Sequence, residues 1–484
     1  MINSNSRSIR HTAICLLLLL IFTAAAQRTR PSESRPAPSA AEKNEIAEKA
    51  VLLSEDIDRT FEALAYLPPA VSFLGGSRIK DGDRVCETAI ETGKMMGRFG
   101  VPVCTGGGRG IMEFVPRGFL EGRKEGPCSE SNPFKAVRST MSLKASLDDL
   151  RTQAFIIKLP NEKGANPSIE VYTELETLPI RKLALMQNKR GFCFFPGGFG
   201  TMDEFYELWD LKCRRKVNGP VALVGSGFWR EQLDVLDGTA VKARRLITAG
   251  EMSLVSGSAT DEPSQIISIL AGKDSSSDLA IYRGKEISGL KKDLSEAAGY
   301  YLKAGEAVVF LGSPKLYADD SAYSAALSVA MQCAHRGIAM RAGDGGNMAK
   351  LVSSGAAQGS GRPQIEAFLQ RSDKIPADAA GIKTVSVDSA VIHKAFISEK
   401  MRALVALPGD VHALSELFGI LCLMQNGIIE RKPVILLGKS YWTPFVTALR
   451  KTMCEGGRML IALDDLSLVT VTDSPAEAMA LISP

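Results

Sequence analysis

The chain of 484 residues contains two copies of one pattern, and this internal repeat restricts its fold more than any other feature. The segment AVVFLGSPK at 307–315 matches AVSFLGGSR at 70–78, and RKPVILLGKSYW at 431–442 matches VNGPVALVGSGFW at 217–229. Matching residues lie 237 positions apart in the first part of each copy and 212 apart in the second part, so the second copy is 25 residues shorter between these parts. Constant spacings of this kind indicate a tandem duplication of one structural unit.

Short apolar runs alternate with helical patterns within each copy. In the first copy the runs are AVSFL, VPVC, FIIKL, GFCFF and PVALVG, and helices such as VCETAIETGKMMGRF and IRKLALMQNK are predicted between them. Residues 42–65, before the first run, carry apolar residues at the helical spacings of three and four. Strands that alternate with helices of this length are typical of a parallel sheet with helices on both faces. The sequence therefore predicts an α/β fold in two tandem copies.

The N-terminal residues have the composition of a targeting segment. Arg7, Arg10 and His11 precede the apolar run TAICLLLLLIFTAAA, which ends in small residues typical of a cleavage site. An apolar run of about 14 residues is shorter than the ~20 that a membrane-spanning helix needs, which favours a cleaved signal peptide over an uncleaved anchor. The protein is therefore predicted to be exported or membrane-tethered.

These patterns divide the chain into four parts. Residues 1–26 are predicted as the signal peptide or membrane-targeting segment, and residues 27–65 as a Pro/Ser/Arg-rich flexible tether that ends in a helix. The two copies occupy 66–275 and 300–484, and the stretch 272–300 is predicted as the linker between them.

Charge, histidine and cysteine content argue against several classes of function. A net charge of +4 over 484 residues is too small to indicate a nucleic-acid partner. One of the nine cysteines, Cys15, lies in the predicted signal segment, and the other eight form no C-x-x-C pair and have no histidine at metal-binding spacing, so they are predicted to be buried thiols. No metal site is predicted.

Two glycine-rich turns follow predicted strands of the first copy. TGGGRGIME at 105–113 follows VPVC, and PGGFGTMDE at 196–204 follows GFCFF. Both turns lie at the carboxyl ends of strands, where open parallel sheets bind ligands. The second turn combines glycines, which permit positive φ and close backbone approach, with a helix N-terminus, and this combination suits a phosphate. Its glycines are Gly197, Gly198 and Gly200, and its helix is expected to start at Thr201. An ordinary tight turn would carry the same glycines, so the spacing alone leaves both interpretations open.

The charged residues near this turn also have two interpretations each. Thr201-x-x-Glu204 has the spacing of a capping box, whereas a carboxylate at a helix N-terminus also suits a group that stabilises positive charge or orients water. The basic pair Arg181–Lys182 lies on the preceding helix, where it is either a solvated surface or part of a site. Periodicity alone does not bring Arg181 to Glu204.

Taken together, these motifs resemble the LONELY GUY (LOG) family of nucleoside 5′-monophosphate phosphoribohydrolases, some of which activate cytokinins. The resemblance rests on TGGGRGIMEFVPRGFLEG, PIRKLALMQNKRGFCFFPGGFGTMDEFYEL and GPVALVGSGFW, and it covers about residues 68–270. It implies a Rossmann-like α/β sandwich that usually forms a homodimer. It also implies hydrolysis of AMP-like nucleotides or cytokinin riboside monophosphates to free base and ribose 5-phosphate, without metal, nicotinamide or pyridoxal phosphate cofactors.

The resemblance also implies roles for individual residues. Arg181 and Glu204 would serve catalysis, because cleavage of a ribose–base bond builds positive charge on the sugar, which a carboxylate stabilises. Arg181 would position groups and stabilise charge, since an arginine does not readily give up its proton. The implied substrate-binding residues are Lys182, Gly197, Gly198, Gly200 and Thr201, together with Gly106, Gly107, Gly108, Gly110 and Glu113.

The second copy departs from the family pattern where the phosphate would bind. Its turn reads PGDVHALSE, so two glycines and the threonine are replaced by Asp410, His412 and Ala413, and the arginine of the basic pair is replaced by His393. Only Glu416 is retained among the residues implied in catalysis and capping. We predict a degenerate domain that pairs with the first copy as an intramolecular pseudo-dimer, with further homo-oligomerisation compatible with that arrangement.

Two other functions fit parts of the sequence. Molybdenum-cofactor carrier proteins have a similar fold and similar glycine turns, so a nucleotide- or cofactor-binding protein without turnover is the main alternative. The presence of both Arg181 and Glu204 favours the enzyme. Family members are often labelled lysine decarboxylase-like, but the sequence has no recognisable context for a Schiff-base lysine, which disfavours an amino-acid decarboxylase.

Overall fold

The computed structural model describes residues 40–126, 132–134, 151–158, 164–272, 284–361, 363–370, 372–455 and 459–483. The predicted signal segment and residues 27–39 of the predicted tether lie outside the described residues, and the rest of 27–65 is helical. Within the described ranges, no helix is both long enough and apolar enough to cross a membrane.

The first copy alternates strands and helices along its length. Its elements are α1 (Ala40–Tyr66), β1 (Ala70–Leu74), α2 (Arg84–Phe99), β2 (Val103–Thr105), α3 (Ile111–Glu125), β3 (Gln153–Ile157), β4 (Val171–Leu175), α4 (Leu178–Met186), β5 (Lys189–Phe194), α5 (Phe199–Cys213), β6 (Val221–Leu223), α6 (Ser226–Leu236), a π-helical turn (Asp237–Lys242), α7 (Ala249–Ser256) and α8 (Pro263–Leu270).

The second copy repeats this order and adds a strand near its end. Its elements are α9 (Gly284–Tyr301), β7 (Ala307–Leu311), α10 (Ser321–His335), β8 (Met340–Ala342), α11 (Gly346–Gln358), β9 (Ile365–Gln370), β10 (Lys383–Val387), α12 (Ala390–Phe396), β11 (Met401–Ala406), α13 (Val411–Gln425), β12 (Val434–Leu437), α14 (Lys439–Leu449), a π-helical turn (Arg450–Cys454), a 3₁₀ helix (Leu463–Leu468), β13 (Val469–Thr472) and α15 (Pro475–Ile482).

Each copy builds one parallel sheet, so the predicted α/β fold in two tandem copies is confirmed. The first sheet has the strand order β4-β3-β2-β1-β5-β6, and the second has β10-β9-β8-β7-β11-β12-β13. From β1 the chain adds β2, β3 and β4 towards one edge of the sheet, and it then returns to the other side of β1 with β5 and β6. The same reversal of strand order occurs between β7 and β11 in the second sheet. In Rossmann-like sheets, ligands bind at the carboxyl ends of the strands beside such a reversal.

The central strands are buried along their whole length because both faces are covered by helices, and most of their residues are apolar. All residues of β1, β5 and β7 are buried. Strand β4, in contrast, alternates between partly buried and exposed residues at the edge of its sheet. Its sequence VYTEL carries a weaker apolar signal than the central runs, and it was not among the predicted strands.

The repeat extends further toward the N-terminus than the sequence predicted. Most of the stretch 272–300, predicted as a linker, is helical, because α9 covers Gly284–Tyr301. Asp56 of α1 accepts hydrogen bonds from the backbone N–H groups of Glu176 and Thr177, at 2.9 and 2.7 Å, just before α4.

Helix α9 makes the equivalent contacts in the second copy. Its Asp293 accepts hydrogen bonds from the backbone N–H groups of Asp388 and Ser389, at 2.9 and 2.7 Å, just before α12. Asp56 and Asp293 are 237 positions apart, and the donor pairs are 212 apart, which are the two spacings of the repeat. Helices α1 and α9 are therefore equivalent elements, and the duplicated unit begins with this helix.

The two copies contact each other through equivalent helices. Helices α5 and α13 begin and end 212 positions apart, and they pack against each other along their buried faces. The Tyr206 ring stacks on the Phe418 ring with centroids 5.2 Å apart, and Phe199 contacts the same ring at 6.0 Å. The contact region is therefore an apolar interior shared by the two copies.

The described cysteines are free thiols, as predicted. They are Cys86, Cys104, Cys193, Cys213, Cys333, Cys422 and Cys454, and all but Cys213 are buried. The other two cysteines lie outside the described residues.

Candidate active site

The turn between β5 and α5 lies beside the reversal of the first sheet. The Pro196 carbonyl accepts a hydrogen bond from the Gly76 N–H at 2.9 Å, and Phe195 N–H donates to the Leu74 carbonyl at 2.8 Å. These bonds hold the turn after β5 against the turn after β1. The N-terminus of α5 therefore has a fixed position at the carboxyl edge of the sheet.

Helix α5 begins at Phe199, two residues before the predicted start at Thr201. Gly198 is the N-cap residue with φ −88°, and no side chain caps this end among the described residues. The first N–H groups of a helix have no partner within the helix and carry partial positive charge. This end of α5 is therefore available to an anion.

The glycines of this turn do not use the positive φ that glycine permits, because the described glycines with positive φ do not include Gly197, Gly198 or Gly200. Steric crowding explains the first two. A Cβ atom on Gly197 would lie 2.1 Å from the Thr201 Oγ1 atom, and one on Gly198 would lie 2.8 Å from a side-chain carbon of Ile461. Gly200 is less crowded, with the nearest contact of such a Cβ at 3.7 Å.

The capping interpretation of Glu204 is also wrong. Because α5 begins at Phe199, Thr201 lies inside the first turn and Glu204 lies in the second turn. The Glu204 carboxylate faces Arg181 of α4, with 3.7 Å between Oε1 and Nη1. Both side chains are almost buried, with 12% of Arg181 and 11% of Glu204 exposed. The structure thus brings together the two residues that periodicity could not connect.

Arg181 is held in place from two sides. Its Nε donates to the Phe155 carbonyl at 2.9 Å, and its Nη2 donates to the Gly106 carbonyl at 3.3 Å. A Cβ atom on Gly106 would lie 1.8 Å from Nη2, so this position accepts only glycine if the arginine keeps its place. The turn after β2 therefore positions Arg181.

Burial determines the protonation of Glu204. Removal from water raises the pKa of the Glu204 carboxyl, the nearby Arg181 guanidinium lowers it, and the neighbouring Asp203 carboxylate raises it, with a net value of about 7. A carboxyl group with a pKa near neutrality can exchange a proton at physiological pH. Buried ionisable groups with shifted pKa values in a cleft are candidates for catalysis.

The glycine-rich turn after β2 depends on positive φ and is held by side-chain hydrogen bonds. Gly107 and Gly110 have φ of 74° and 64°, a region that favours glycine. The buried side chain of Asn166 donates to the carbonyls of Gly107 and Gly108, at 3.0 and 2.8 Å. Asn166 was missed by the sequence analysis, since no motif distinguishes this single asparagine. Glu113 lies half-buried in the first turn of α3.

The Lys182 side chain contacts other carboxylates than the one that Arg181 faces. Its ammonium is buried and forms ion pairs with Asp203 at 2.7 Å and Glu207 at 3.0 Å. Lys394 of the second copy contacts the same carboxylates at 2.7 and 2.9 Å. These four residues form a buried ion cluster between the copies. Burial disfavours the charged forms of Asp203 and Lys394. The ammonium groups of the two lysines nevertheless lower the pKa of Asp203, and the carboxylates raise the pKa of Lys394. Lys182 thus helps hold the two copies together.

The second copy provides a wall for the turn after β5. A Cβ atom on Gly76 would lie 3.4 Å from a side-chain carbon of Leu460, and one on Gly198 would lie 3.0 Å from the Leu460 backbone oxygen. A cavity of about 380 Å³ lies elsewhere, lined by residues that include Arg84, Asp261 and Lys451 but neither Arg181 nor Glu204. We therefore place the candidate site at the Arg181–Glu204 pair and not in this cavity.

The corresponding helix end of the second copy is capped by its own side chain. The Asp410 carboxylate accepts hydrogen bonds from the Ala413 N–H at 3.2 Å and from the Ser313 hydroxyl at 2.8 Å. A carboxylate thus lies where the first copy leaves its helix end uncapped.

Comparison with known families agrees with this architecture. The model of the family described as "Possible lysine decarboxylase" matches residues 145–269 and 350–482, which together exceed half of the chain. The protein belongs to this family, and one match in each copy fits a tandem duplication of a LOG-like domain. A search of curated proteins finds no match. The first matched region contains Arg181, Glu204 and the turn after β5, and family membership favours an enzymatic role.

Proposed function

We propose that the first copy hydrolyses the N-glycosidic bond of nucleoside 5′-monophosphates, such as AMP-like nucleotides or cytokinin riboside monophosphates. The observation that carries this proposal is the buried Arg181–Glu204 pair, 3.7 Å apart, beside the uncapped N-terminus of α5. An anion site and a carboxylate with a raised pKa, side by side, match a substrate that has a phosphate at one end and a reacting sugar carbon nearby.

The reaction follows from the charges of these groups. The phosphate binds at the N-terminus of α5, and the ribose C1′ lies over Glu204. As the bond from C1′ to the base nitrogen breaks, its electron pair leaves with the base and positive charge develops on the sugar. The Glu204 carboxylate stabilises this charge and accepts a proton from the attacking water, whose oxygen forms the new bond to C1′. The departing base takes up one proton from water, Glu204 returns its proton to water, and the products are the free base and ribose 5-phosphate.

Arg181 serves as a fixed positive charge in this scheme. Its hydrogen bonds to the carbonyls of Phe155 and Gly106 orient the guanidinium, and its charge keeps part of the Glu204 population ionised at neutral pH. An arginine keeps its proton under these conditions, so the proton transfers belong to Glu204 and water.

The second copy is proposed to act as an intramolecular partner, so that the chain is a pseudo-dimer with one working site. The stacked rings at α5 and α13, the buried ion cluster and the Leu460 wall support this role. The Asp410 cap supports loss of phosphate binding in the second copy.

The test is release of free base from a panel of nucleoside 5′-monophosphates by the purified protein. We expect release with at least one member, and a loss of about 100-fold or more in kcat for Glu204→Gln. Arg181→Lys keeps the charge but not the planar geometry, and it is expected to lose about tenfold or more. Saturable binding of a nucleotide or of molybdenum cofactor without release of base would instead support the non-catalytic binding protein.

A further inference from the structure

The second copy contains a buried cluster of histidine and carboxylate groups where the first copy has its candidate active site. His393 of α12 takes the place of Arg181, and Glu416 of α13 takes the place of Glu204. His412 lies four residues before Glu416, so both project from one face of α13. Asp344, in the turn after β8, adds a further carboxylate. All four residues are buried.

The hydrogen bonds of His393 leave a lone pair directed at Glu416. Its Nε2 lies 2.8 Å from the Phe368 carbonyl, which can only accept, so Nε2 carries the proton in the neutral ring. Its Nδ1 lies 3.1 Å from the Glu416 Oε1 atom. Two acceptors at this distance need a positive group between them, and that group is either a proton or a metal ion.

His412 is oriented in the same way by the first copy. Its Nδ1 lies 3.3 Å from the Asp210 Oδ2 atom of α5, and a proton on Nδ1 satisfies this carboxylate. Its Nε2 lies 3.3 Å from the Asp344 Oδ1 atom but forms no hydrogen bond with any described residue. Metal-binding histidines typically donate their second N–H to a carboxylate or a backbone carbonyl, and both histidines have this arrangement.

Two buried polar atoms of the cluster lack hydrogen-bond partners among the described residues. They are His412 Nε2 and Glu416 Oε2. An unpaired buried acceptor is costly, so such atoms often indicate an unseen ligand. One ligand atom from each of His393, His412 and Glu416 lies within 4.8 Å of the others, which is close enough for all three to bind one ion.

We propose that His393, His412 and Glu416 bind a divalent transition-metal ion of the zinc type, with Asp344 available as a fourth oxygen ligand. Two imidazoles and carboxylate oxygens are a ligand set that Zn²⁺ accepts in tetrahedral sites. The ion supplies positive charge beside Glu416, as Arg181 does beside Glu204 in the first copy. With two neutral histidines and two carboxylates, the site balances the charge of the ion.

The first test measures bound metal directly. The full-length protein is expressed with Zn²⁺ in the medium, dialysed and analysed by elemental mass spectrometry, and a chelated sample is refolded with Co²⁺ to read the visible absorption of the bound ion. We expect one ion per chain, and the Co²⁺ spectrum of a site with nitrogen and oxygen ligands. Because the ligands are buried, supplying metal during folding ensures that a negative result is meaningful.

Matched variants identify the ligands. His412→Asn and Glu416→Gln are expected to weaken metal affinity by about 100-fold or more, and Asp210→Asn by about 10- to 100-fold through His412. His335→Asn is the control, because His335 is exposed on α10 and lies outside the cluster. Thermal melting of each variant, with and without added Zn²⁺, distinguishes lost binding from lost folding.

Two results would overturn the proposal. One is wild-type protein that folds in the presence of Zn²⁺ or Co²⁺ and retains neither ion after dialysis. The other is metal retained equally by the folded His412→Asn and Glu416→Gln variants. In the first case the positive group between His393 and Glu416 is a proton, and the cluster is a buried ion network.

Discussion

At the scale of single residues, the environment of Glu204 opposes the charge that its proposed chemistry requires. The carboxyl has a pKa of about 7 in the folded protein, against an ordinary value of 4.5. Folding therefore favours its protonated form, and ionisation destabilises the folded state relative to the unfolded state. This destabilisation is absent below the unfolded pKa, grows as pH rises above 4.5 and is complete above about 7.

We expect Glu204→Gln to stabilise the protein at pH 8 by roughly 1–3 kcal/mol, while the difference from wild type disappears near pH 4. Chemical denaturation at both pH values measures the free energy of unfolding. Glu121→Gln, at an exposed position, is the control and should show little dependence on pH. A Glu204→Gln variant that is less stable than wild type at pH 8 would mean that the Arg181 contact outweighs burial.

Gly106 provides a second test at this scale. We expect Gly106→Ala to displace the Arg181 guanidinium, because the new Cβ would lie 1.8 Å from Nη2. A misplaced catalytic group lowers kcat, here by about 10- to 100-fold in the base-release assay. Gly227→Ala is the control, since no atom lies within 4 Å of its added Cβ. Equal activity of the two variants would remove Arg181 from the mechanism.

Single residues also mark the limit of what the sequence could predict. The motifs singled out Arg181 and Glu204, which the fold brings to 3.7 Å, but the spacing Thr201-x-x-Glu204 suggested a cap that the earlier start of α5 excludes. The histidine cluster was invisible for a different reason. His393 and His412 come from separate helices, and only the fold brings their rings to 6.2 Å. The spacing of residues along a chain indicates a metal site only when the ligands lie on one helix or strand.

At the scale of elements, helices α5 and α13 join the copies through charge as well as apolar packing. Lys394 is buried among Asp203, Glu207 and Ser415, with its ammonium 2.8 Å from the Ser415 hydroxyl. Removing one cation from such a cluster leaves a buried carboxylate without compensation, which is far more costly than the loss of a surface pair.

We expect Lys394→Met to destabilise the protein by about 3–5 kcal/mol, measured by chemical denaturation. The double variant Lys394→Met with Glu207→Gln restores the balance of charge and should recover part of this loss. Lys350→Met removes a lysine from an exposed pair with Asp378, and little change is expected. A Lys394→Met variant as stable as wild type would show that the cluster does not hold the interface.

Elements were predicted well where hydrophobic pattern alone determines them. The buried central strands and their helices agree with the apolar runs, because strands covered on both faces are built mostly from apolar residues. The buried Lys189 and Arg190 at the start of β5 lie outside the apolar run GFCFF that marked this strand. The stretch that contains helix α9 was assigned to a linker because it opens with the polar run GKDSSSD, yet Leu290, Leu294 and Tyr301 of this helix are buried in the core. Its equivalence to α1 becomes clear only from the matching contacts of Asp56 and Asp293.

At the scale of the whole molecule, the two copies are complementary and not interchangeable. The residues equivalent to Asp203 and Glu207 in the second copy are Ser415 and Gly419, so both carboxylates of the ion cluster come from the first copy. A pair of first copies would bury four carboxylates with two lysines, and a pair of second copies would bury two lysines alone. Only the mixed pair balances the charges.

We therefore expect residues 40–272 and 284–484, expressed together as separate chains, to assemble as a one-to-one heterodimer. Each half alone should aggregate or remain poorly folded, since Tyr206 and Phe418 would lose the rings that cover them. Size-exclusion chromatography with light scattering measures the assemblies. A soluble, monomeric and fully active fragment 40–272 would contradict the role of the second copy as partner.

The one-sided ion cluster also has a consequence for the history of the gene. A fresh duplicate can be lost without harm, because each copy can still pair with another of its own kind. In the present chain both carboxylates of the cluster come from the first copy, so a gene that lost either half would encode a copy whose pairing with its own kind leaves buried charges unbalanced. Selection therefore acts on the two halves as a single inherited unit, whichever of them carries out catalysis.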